Sequence, residues 1–186
     1  KQIIPILRST IPPRSTNNMI VFETDRLLVR RFTDADKENY FLLNGDEEVM
    51  RYIRPPRTRE ESDTQLEQIL GDYAAFPMSG TGRWAVVEKV TGHFIGSFVI
   101  IPIPAEPEKT QMGYSFIPSS WGKGYASELA IAGLQYFLTK TTIPEIYGVT
   151  ETPNIASQKV LQKAGFRYHS NKMEEGKELI VFIVKR

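Results

Sequence analysis

The spacing of hydrophobic and polar residues changes several times along the chain, and each change predicts a new element. Alternating or short apolar runs bounded by turn residues predict strands, which lie at 26–32, 83–89, 94–103, 111–117, 146–151 and 179–185. Apolar residues spaced by three and four behind capping residues predict helices, which begin at 33, 46, 58, 126 and 154. With the short helix at 46 set aside, the main elements follow one another in the order β-αα-βββ-α-β-α-β.

That order predicts an α/β (α+β) fold. We expect a mixed, mostly antiparallel sheet with helices on both faces and one βαβ crossover that joins two parallel strands. The 186 residues fit one domain, which we place at 19–186. Residues 1–18 contain prolines, no acidic residue and no long apolar run, so we expect an N-terminal arm, with an organellar targeting peptide as the alternative.

The composition excludes several classes of function. The formal net charge of +1 gives no general basis for binding nucleic acid or a membrane surface, and no apolar run is long enough to span a bilayer. The absence of cysteine excludes disulfides, thiolate metal sites and a covalent cysteine intermediate, and we expect no metal. These features are compatible with a cytoplasmic protein, and we expect a monomer or a homodimer.

A glycine-containing turn is the most informative local feature. It reads Trp121-Gly122-Lys123-Gly124-Tyr125-Ala126-Ser127, between the strand at 111–117 and an amphipathic helix. Glycine lets a ligand approach the backbone where a Cβ would block it, and the free N–H groups and dipole of a helix N-terminus favour an anion. Because P-loop and dinucleotide signatures are absent, the turn predicts a different pyrophosphate-bearing ligand. An ordinary strand-to-helix turn is the alternative, and Glu128 is expected to stabilise the helix dipole.

A second segment runs from Asn154-Ile155-Ala156-Ser157 to Ala164-Gly165-Phe166. Alone it predicts a well-capped helix, with Asn154 as N-cap and Gly165 after the end. Together, a strand, a Gly-x-Gly turn, a helix, a strand and Asn-x-x-Ser on a helix ending in Gly-Phe resemble the GNAT superfamily of acyl-CoA-dependent N-acetyltransferases. Segments 23–30, 112–118 and 154–166 are similar to the branch that contains the ribosomal-protein N-terminal (alanine/serine) acetyltransferases.

The resemblance implies that acetyl-CoA is the co-substrate and that residues 121–126 wrap its pyrophosphate. It also implies that the parallel strands 111–117 and 146–151 splay apart. The pantetheine arm would then pair with the first strand, where a backbone N–H would polarise the thioester carbonyl. Trp121 departs from the polar residue of the usual family pattern. The co-substrate-binding residues implied are Phe116, Ile117, Trp121, Gly122, Lys123, Gly124, Tyr125, Ala126, Ser127, Asn154 and Ser157.

The expected reaction is direct attack of a primary amine, either a protein N-terminus or a small molecule, on acetyl-CoA. Ser157, Glu151 and Asn154 are the candidate catalytic residues. Ser157 is the expected proton donor to the departing thiolate, because Leu161 stands where many relatives carry a tyrosine. Glu151 is the candidate base, since Gln111, where the branch commonly has Glu, cannot act as one.

The resemblance also places the acceptor at the first helices and their connection. Tyr52, Arg54, Arg57 and Trp84 are candidate lining residues, and the arginines would suit an acceptor with a carboxylate or phosphate. A solvated loop beside a core tryptophan is the alternative. Two other functions stay open: a catalytically weak acyl-CoA-binding sensor, suggested by positions 111 and 161, and a protein-interaction domain with an unused glycine turn.

Overall fold

One sheet forms the centre of the protein within the residues that the computed structural model describes, 20–76 and 80–186. Eight strands of this part of the chain lie in the order β1-β2-β3-β4-β5-β6-β8-β7. The predicted arm at 1–18 lies outside the described residues. The strands are β1 (Ile20–Glu23), β2 (Leu27–Arg30), β3 (Gly82–Glu88), β4 (Phe94–Ile103), β5 (Glu106–Phe116), β6 (Glu145–Glu151), β7 (Arg167–Glu174) and β8 (Lys177–Lys185). The helices are α1 (Lys37–Asn44), α2 (Glu47–Met50), α3 (Arg59–Ala75), α4 (Tyr125–Lys140) and α5 (Ile155–Lys163).

The strand directions confirm the predicted fold class. β5 and β6 are parallel, and α4 connects them. The other neighbouring pairs are antiparallel. The sequence pattern missed β1 and β7, which form the two edges of the sheet. β7 is mostly exposed, so it lacks the regular apolar alternation that a half-buried strand shows.

The helices cover the two faces of the sheet. Leu129 and Phe137 of α4 pack with Trp84 and Phe98 in the larger core, while α1, α2 and α3 cover the other face. Trp84 is 3% exposed and stacks on Phe98 with 5.8 Å between ring centroids. The alternative interpretation of Trp84, a core residue, is therefore the correct one.

Local capping interactions fix both ends of α5, the helix that carries the second sequence motif. The Asn154 side chain accepts a hydrogen bond from the Ser157 N–H at 3.1 Å, which satisfies one free donor of the first turn of α5. Gly165 follows the helix with a φ of +101°, a value that favours glycine. Both predicted ends of α5 are confirmed.

Candidate active site

The Gly-x-Gly turn presents a run of unpaired backbone donors at the start of α4. Gly122 and Gly124 have φ values of +73° and +82°, which glycine adopts without strain. Within the described residues, none of the backbone N–H groups of residues 122–127 finds an acceptor, and the helical bonds begin with Glu128 N to Gly124 O at 3.2 Å. Residues 121–124 are exposed. Such a run of donors at a helix N-terminus can hold a pyrophosphate.

A carboxylate behind the turn fixes its position. Glu128 accepts hydrogen bonds from Thr24 Oγ1 at 2.5 Å and from Arg26 N and Nε at 2.9 and 2.7 Å. Arg26 Nη1 in turn donates to the Lys123 carbonyl at 2.9 Å. Burial alone would raise the pKa of Glu128, but the hydrogen bonds from Thr24 and Arg26 outweigh it and hold that pKa below its usual value. Glu128 therefore does more than complement the helix dipole, because it ties the turn to the start of β2.

The residues flanking the glycines are also tied to the sheet. Trp121 Nε1 donates to the Phe116 carbonyl at 2.7 Å, so this indole fastens the turn to the end of β5. The Tyr125 hydroxyl donates to the Glu88 carboxylate on β3. The Arg26 guanidinium lies over the Tyr125 ring, 4.6 Å from its centroid. The turn is held from both sides, while its outer surface, formed by the exposed residues Gly122, Lys123 and Gly124, is open.

A gap opens between the two parallel strands next to this turn. β5 and β6 pair at Gln111 opposite Tyr147, and from there the described strands separate. The Ile117 N–H donates to the Ile95 carbonyl of β4 at 3.0 Å. Because backbone groups alternate in direction along a strand, those of Tyr114 and Phe116 face the gap. Of the two residues expected near the thioester, Phe116 therefore directs its N–H toward the gap, whereas the Ile117 N–H is already bonded to β4.

Two hydroxyls meet on the α5 side of the gap. The Tyr114 Oη and Ser157 Oγ are 3.2 Å apart. Burial raises the pKa of Tyr114 to about 12, although the hydrogen bond with Ser157 lowers it. Tyr114 therefore stays protonated at neutral pH. The sequence reasoning missed this tyrosine, but its alternation with Met112 and Phe116 on a buried face was a usable signal, since a buried phenol requires a partner.

Position 161 has a packing role. Leu161 is 2% exposed, and a Cβ built on Gly148 of β6 would lie 2.6 Å from Leu161 Cδ2. The leucine fills the space that the glycine leaves. Leu161 therefore belongs to the core, and because it has no polar atom it cannot donate a proton.

Glu151 lies on the opposite face of the sheet from these hydroxyls. Strand alternation places it with Tyr147 and Val149, which pack in a separate small cluster away from α4 and α5. Its carboxylate accepts a hydrogen bond from Lys177 Nζ at 2.5 Å. Glu151 and the pair of Tyr114 and Ser157 thus lie on two different faces of the sheet, and Lys177, the first residue of β8, holds the carboxylate.

The predicted acceptor-lining residues occupy the connection between α2 and α3. Tyr52 lies beside Arg51, with 5.2 Å between Arg51 Cζ and the ring centroid. Arg54 and Arg57 are half-buried there. In residues 20–76 and 80–186, no three His, Cys, Asp or Glu side chains cluster in a way that could hold a metal ion. No helix in this same part of the chain is long and apolar enough to cross a membrane.

Comparison with known proteins gives a consistent result. Residues 26–167 match the family model described as an acetyltransferase (GNAT) domain. The uncharacterized N-acetyltransferase YoaA of Bacillus subtilis is 31% identical over 148 residues, which cover 79% of this chain and 82% of that protein. A GNAT-family acetyltransferase from Bacillus anthracis has a crystal structure with a TM-score of 0.76 and 23% identity, covering 90% of this chain and 98% of that one. Spermidine N-acetyltransferase from Vibrio cholerae, solved with CoA and spermine, has a TM-score of 0.73 and 19% identity, covering 87% and 96%.

Proposed function

Given that this chain belongs to the GNAT acetyltransferase family and is an N-acetyltransferase, we propose that it acetylates a primary amine by direct attack in a ternary complex with acetyl-CoA. The observation that carries this proposal is the run of unpaired N–H groups at residues 122–127 beside the gap between β5 and β6. The acceptor is a small-molecule amine or a peptide N-terminus. The amine bound by the Vibrio cholerae structure supports the general class.

The charged side chains around the turn also suit a pyrophosphate, in addition to the direction of its backbone donors. The Glu128 carboxylate is neutralised by Arg26 behind the turn, so no free negative charge of that side chain opposes an anion. Lys123 is exposed and forms no ion pair within the described residues. Acetyl-CoA would bring the thioester whose carbonyl the Phe116 N–H polarises.

The two proton transfers of the reaction take place on opposite sides of the gap. On the α5 side, the protonated Tyr114 donates to Ser157 Oγ, which leaves the Ser157 hydrogen to point at the leaving sulfur. As the new C–N bond forms and the C–S bond breaks, Ser157 gives its proton to the thiolate and recovers one from Tyr114. Tyr114, whose pKa is raised by burial, then takes a proton from water, while Glu151 releases the amine proton to water, which completes the cycle. On the opposite side, Glu151 accepts the proton of the attacking amine, directly or through water. Asn154 holds the first turn of α5, and therefore Ser157, in position.

The hydroxyl pair also bears on the sensor alternative. That alternative was suggested by Leu161 and Gln111, which lack catalytic groups. Tyr114 and Ser157 supply the donor that Leu161 lacks, and Glu151 supplies a carboxylate that Gln111 lacks. No observation on this chain favours a non-catalytic sensor.

The test has two stages with the full chain. Acetyl-CoA is first titrated calorimetrically, and we expect micromolar binding. Release of the CoA thiol is then followed with a panel of peptides, diamines and amino acids, and we expect at least one amine to accelerate release above hydrolysis. The proposal fails if acetyl-CoA does not bind, or if it binds and no amine in the panel accelerates thiol release.

A further inference from the structure

Three arginines gather near the Tyr40 hydroxyl on the sheet face that α1, α2 and α3 cover. Arg54 and Arg57 come from the connection between α2 and α3, and Arg83 comes from β3. Burial is the main cause that lowers the pKa of Arg54, to about 10, and of Arg83, and the charge of Arg57 lowers both further. All three charges also act on the Tyr40 hydroxyl. Contacts join two of these groups directly, because Asn44 accepts one hydrogen bond from the Arg54 side chain through Oδ1 and another from the Arg57 N–H through its carbonyl, at 2.9 Å.

This cluster lacks a neutralising carboxylate. Within residues 20–76 and 80–186, none of its three guanidinium groups has a carboxylate oxygen within 4.0 Å. Arg54 donates to the neutral Asn44 Oδ1 and Met50 Sδ, and its Nε is buried without an acceptor. The remaining residues, 1–19 and 77–79, contain no Asp or Glu, so they cannot supply the missing charge.

Glu61 and Asp72 are the acidic residues whose charges act on the cluster, and neither neutralises it by an ion pair. Glu61 acts on the charge of Arg54 from farther away, and its carboxylate is held by the Thr58 N–H at 2.8 Å. Asp72 raises the pKa of Arg83 and lines one pocket with it, but the two side chains form no ion pair within 4.0 Å. Clustered guanidinium groups without a carboxylate partner favour a planar anion, which guanidinium groups bind with paired hydrogen bonds.

The register of the sheet connects this cluster to the gap. Arg83 lies opposite Val99, and Val99 lies opposite Gly113. Residues that face one another across strands share one face of the sheet. Because neighbouring strands are about 4.8 Å apart, Arg83 and Gly113 are separated by roughly 10 Å. Val99 and Gly113 are only half-buried, so this row forms an accessible path to the strand segment that faces the gap.

We propose that Arg54, Arg57 and Arg83 bind a carboxylate of the acceptor, so that the enzyme acetylates primary amines that carry a carboxylate several bonds from the nitrogen. This inference rests on the proposed function and names the substrate class of the same site. An acceptor lying along the row from Arg83 to Gly113 places its carboxylate at the arginines and its amine at the gap. Glu151 is on the same face of the sheet, because Gln111 and Tyr147 are paired across the two strands.

The test compares ω-amino acids of increasing chain length with the α,ω-diamines of the same length. We expect kcat/KM for the best amino acid to exceed that of its diamine by roughly 10- to 100-fold, the effect of charged hydrogen bonds. Arg83→Gln and Arg57→Gln should each raise KM for the amino acid while its kcat stays nearly unchanged, and neither should raise KM for the diamine, whose distal ammonium group the arginines repel. Arg59→Gln is the matched control, because Arg59 is exposed and paired with Glu38.

Acetyl-CoA affinity, measured by calorimetry in each variant, distinguishes a failure of the carboxylate site from a failure of the proposed acetyltransferase function. Normal affinity with equal kcat/KM for amino acids and diamines, or with a preference for diamines, would overturn the carboxylate site alone. Variants that raise KM equally for both acceptor classes would also overturn it. A preference for aminoalkyl phosphates would overturn the carboxylate assignment, and a loss of acetyl-CoA binding in the unmodified chain would overturn the proposed function as well.

Discussion

Replacing Gly124 by alanine tests whether the backbone of the turn, rather than a side chain, binds the pyrophosphate. Gly124 has a φ of +82°, and a Cβ built there meets Arg26 Nη2 at 3.5 Å, an ordinary contact. The added methyl group therefore fits the space. The substitution acts instead on the backbone conformation, because residues with a Cβ disfavour positive φ values.

The magnitude follows from two opposing terms. An alanine in the left-handed region costs about 1–2 kcal/mol, and the reduced freedom of the unfolded chain offsets about 0.4–1 kcal/mol. The free energy of unfolding should fall by about 1 kcal/mol, or roughly 2–4 °C in Tm for a domain of this size. Any relaxation of φ would also turn the N–H groups of Gly124 and Tyr125 away from their common direction. Losing one charge-assisted hydrogen bond of about 1.5–3 kcal/mol predicts a loss of acetyl-CoA affinity of roughly 10- to 100-fold.

Gly176→Ala is the matched control for this experiment. Gly176, in the turn between β7 and β8, has a φ of +79° and no atom within 4 Å of a built Cβ. Thermal unfolding and calorimetric titration of acetyl-CoA would be run on both variants. We expect similar losses of stability and a loss of affinity confined to Gly124→Ala. Unchanged affinity in that variant, or an equal loss in both, would refute the reasoning.

Three further predictions concern the hydroxyl pair and the core. Ser157→Ala and Tyr114→Phe should each lower kcat about 10-fold or more while acetyl-CoA affinity stays within a few-fold; an unchanged kcat in both would remove the pair from the mechanism. Burial raises the pKa of Tyr114 from 10.0 to about 12, so the folded state holds this proton more tightly. The free energy of unfolding, measured by chemical denaturation, should therefore fall as the pH rises from 10.0 to about 12, and fall less steeply in Tyr114→Phe; equal slopes would contradict this. Gly133→Ala should cost about 1–3 kcal/mol of unfolding free energy, because its Cβ would lie 2.3 Å from Phe98 Cζ; a neutral result would mean that the ring moves freely.

The sequence predicted the elements that bury one regular face. Leu129, Ala130 and Phe137 repeat at helical spacing, and all are buried in α4. β7 carries mostly exposed polar residues, and β1 has four residues with an irregular register at the sheet edge. Their pairing depends on partners distant in the chain, which a local pattern does not contain.

The candidate site also contains one part that the sequence predicted and parts that it did not. The open conformation of the turn follows from Gly122 and Gly124, whose special backbone angles are a local property. The contact between Tyr114 and Ser157 joins residues 43 positions apart, and the arginine cluster joins a strand to the connection between two helices. Sheet register and helix packing determine these contacts. The sequence therefore showed which functional groups are present but did not show which of them lie close together.

The single meeting point of β5 and β6 has a consequence for how the protein opens. A continuous ladder makes a sheet unfold as one cooperative unit, whereas an interrupted ladder divides it into regions with separate opening free energies. Here extended ladders join β1 to β5 in one region and β6, β8 and β7 in the other, and among the described residues the two regions share the pair of Gln111 and Tyr147. A co-substrate that hydrogen-bonds to Phe116 in the gap would add a backbone pair between the two regions. Binding would then join the two regions into one cooperative unit, and we expect the free protein to exchange its amide hydrogens most readily along the strands that border the gap.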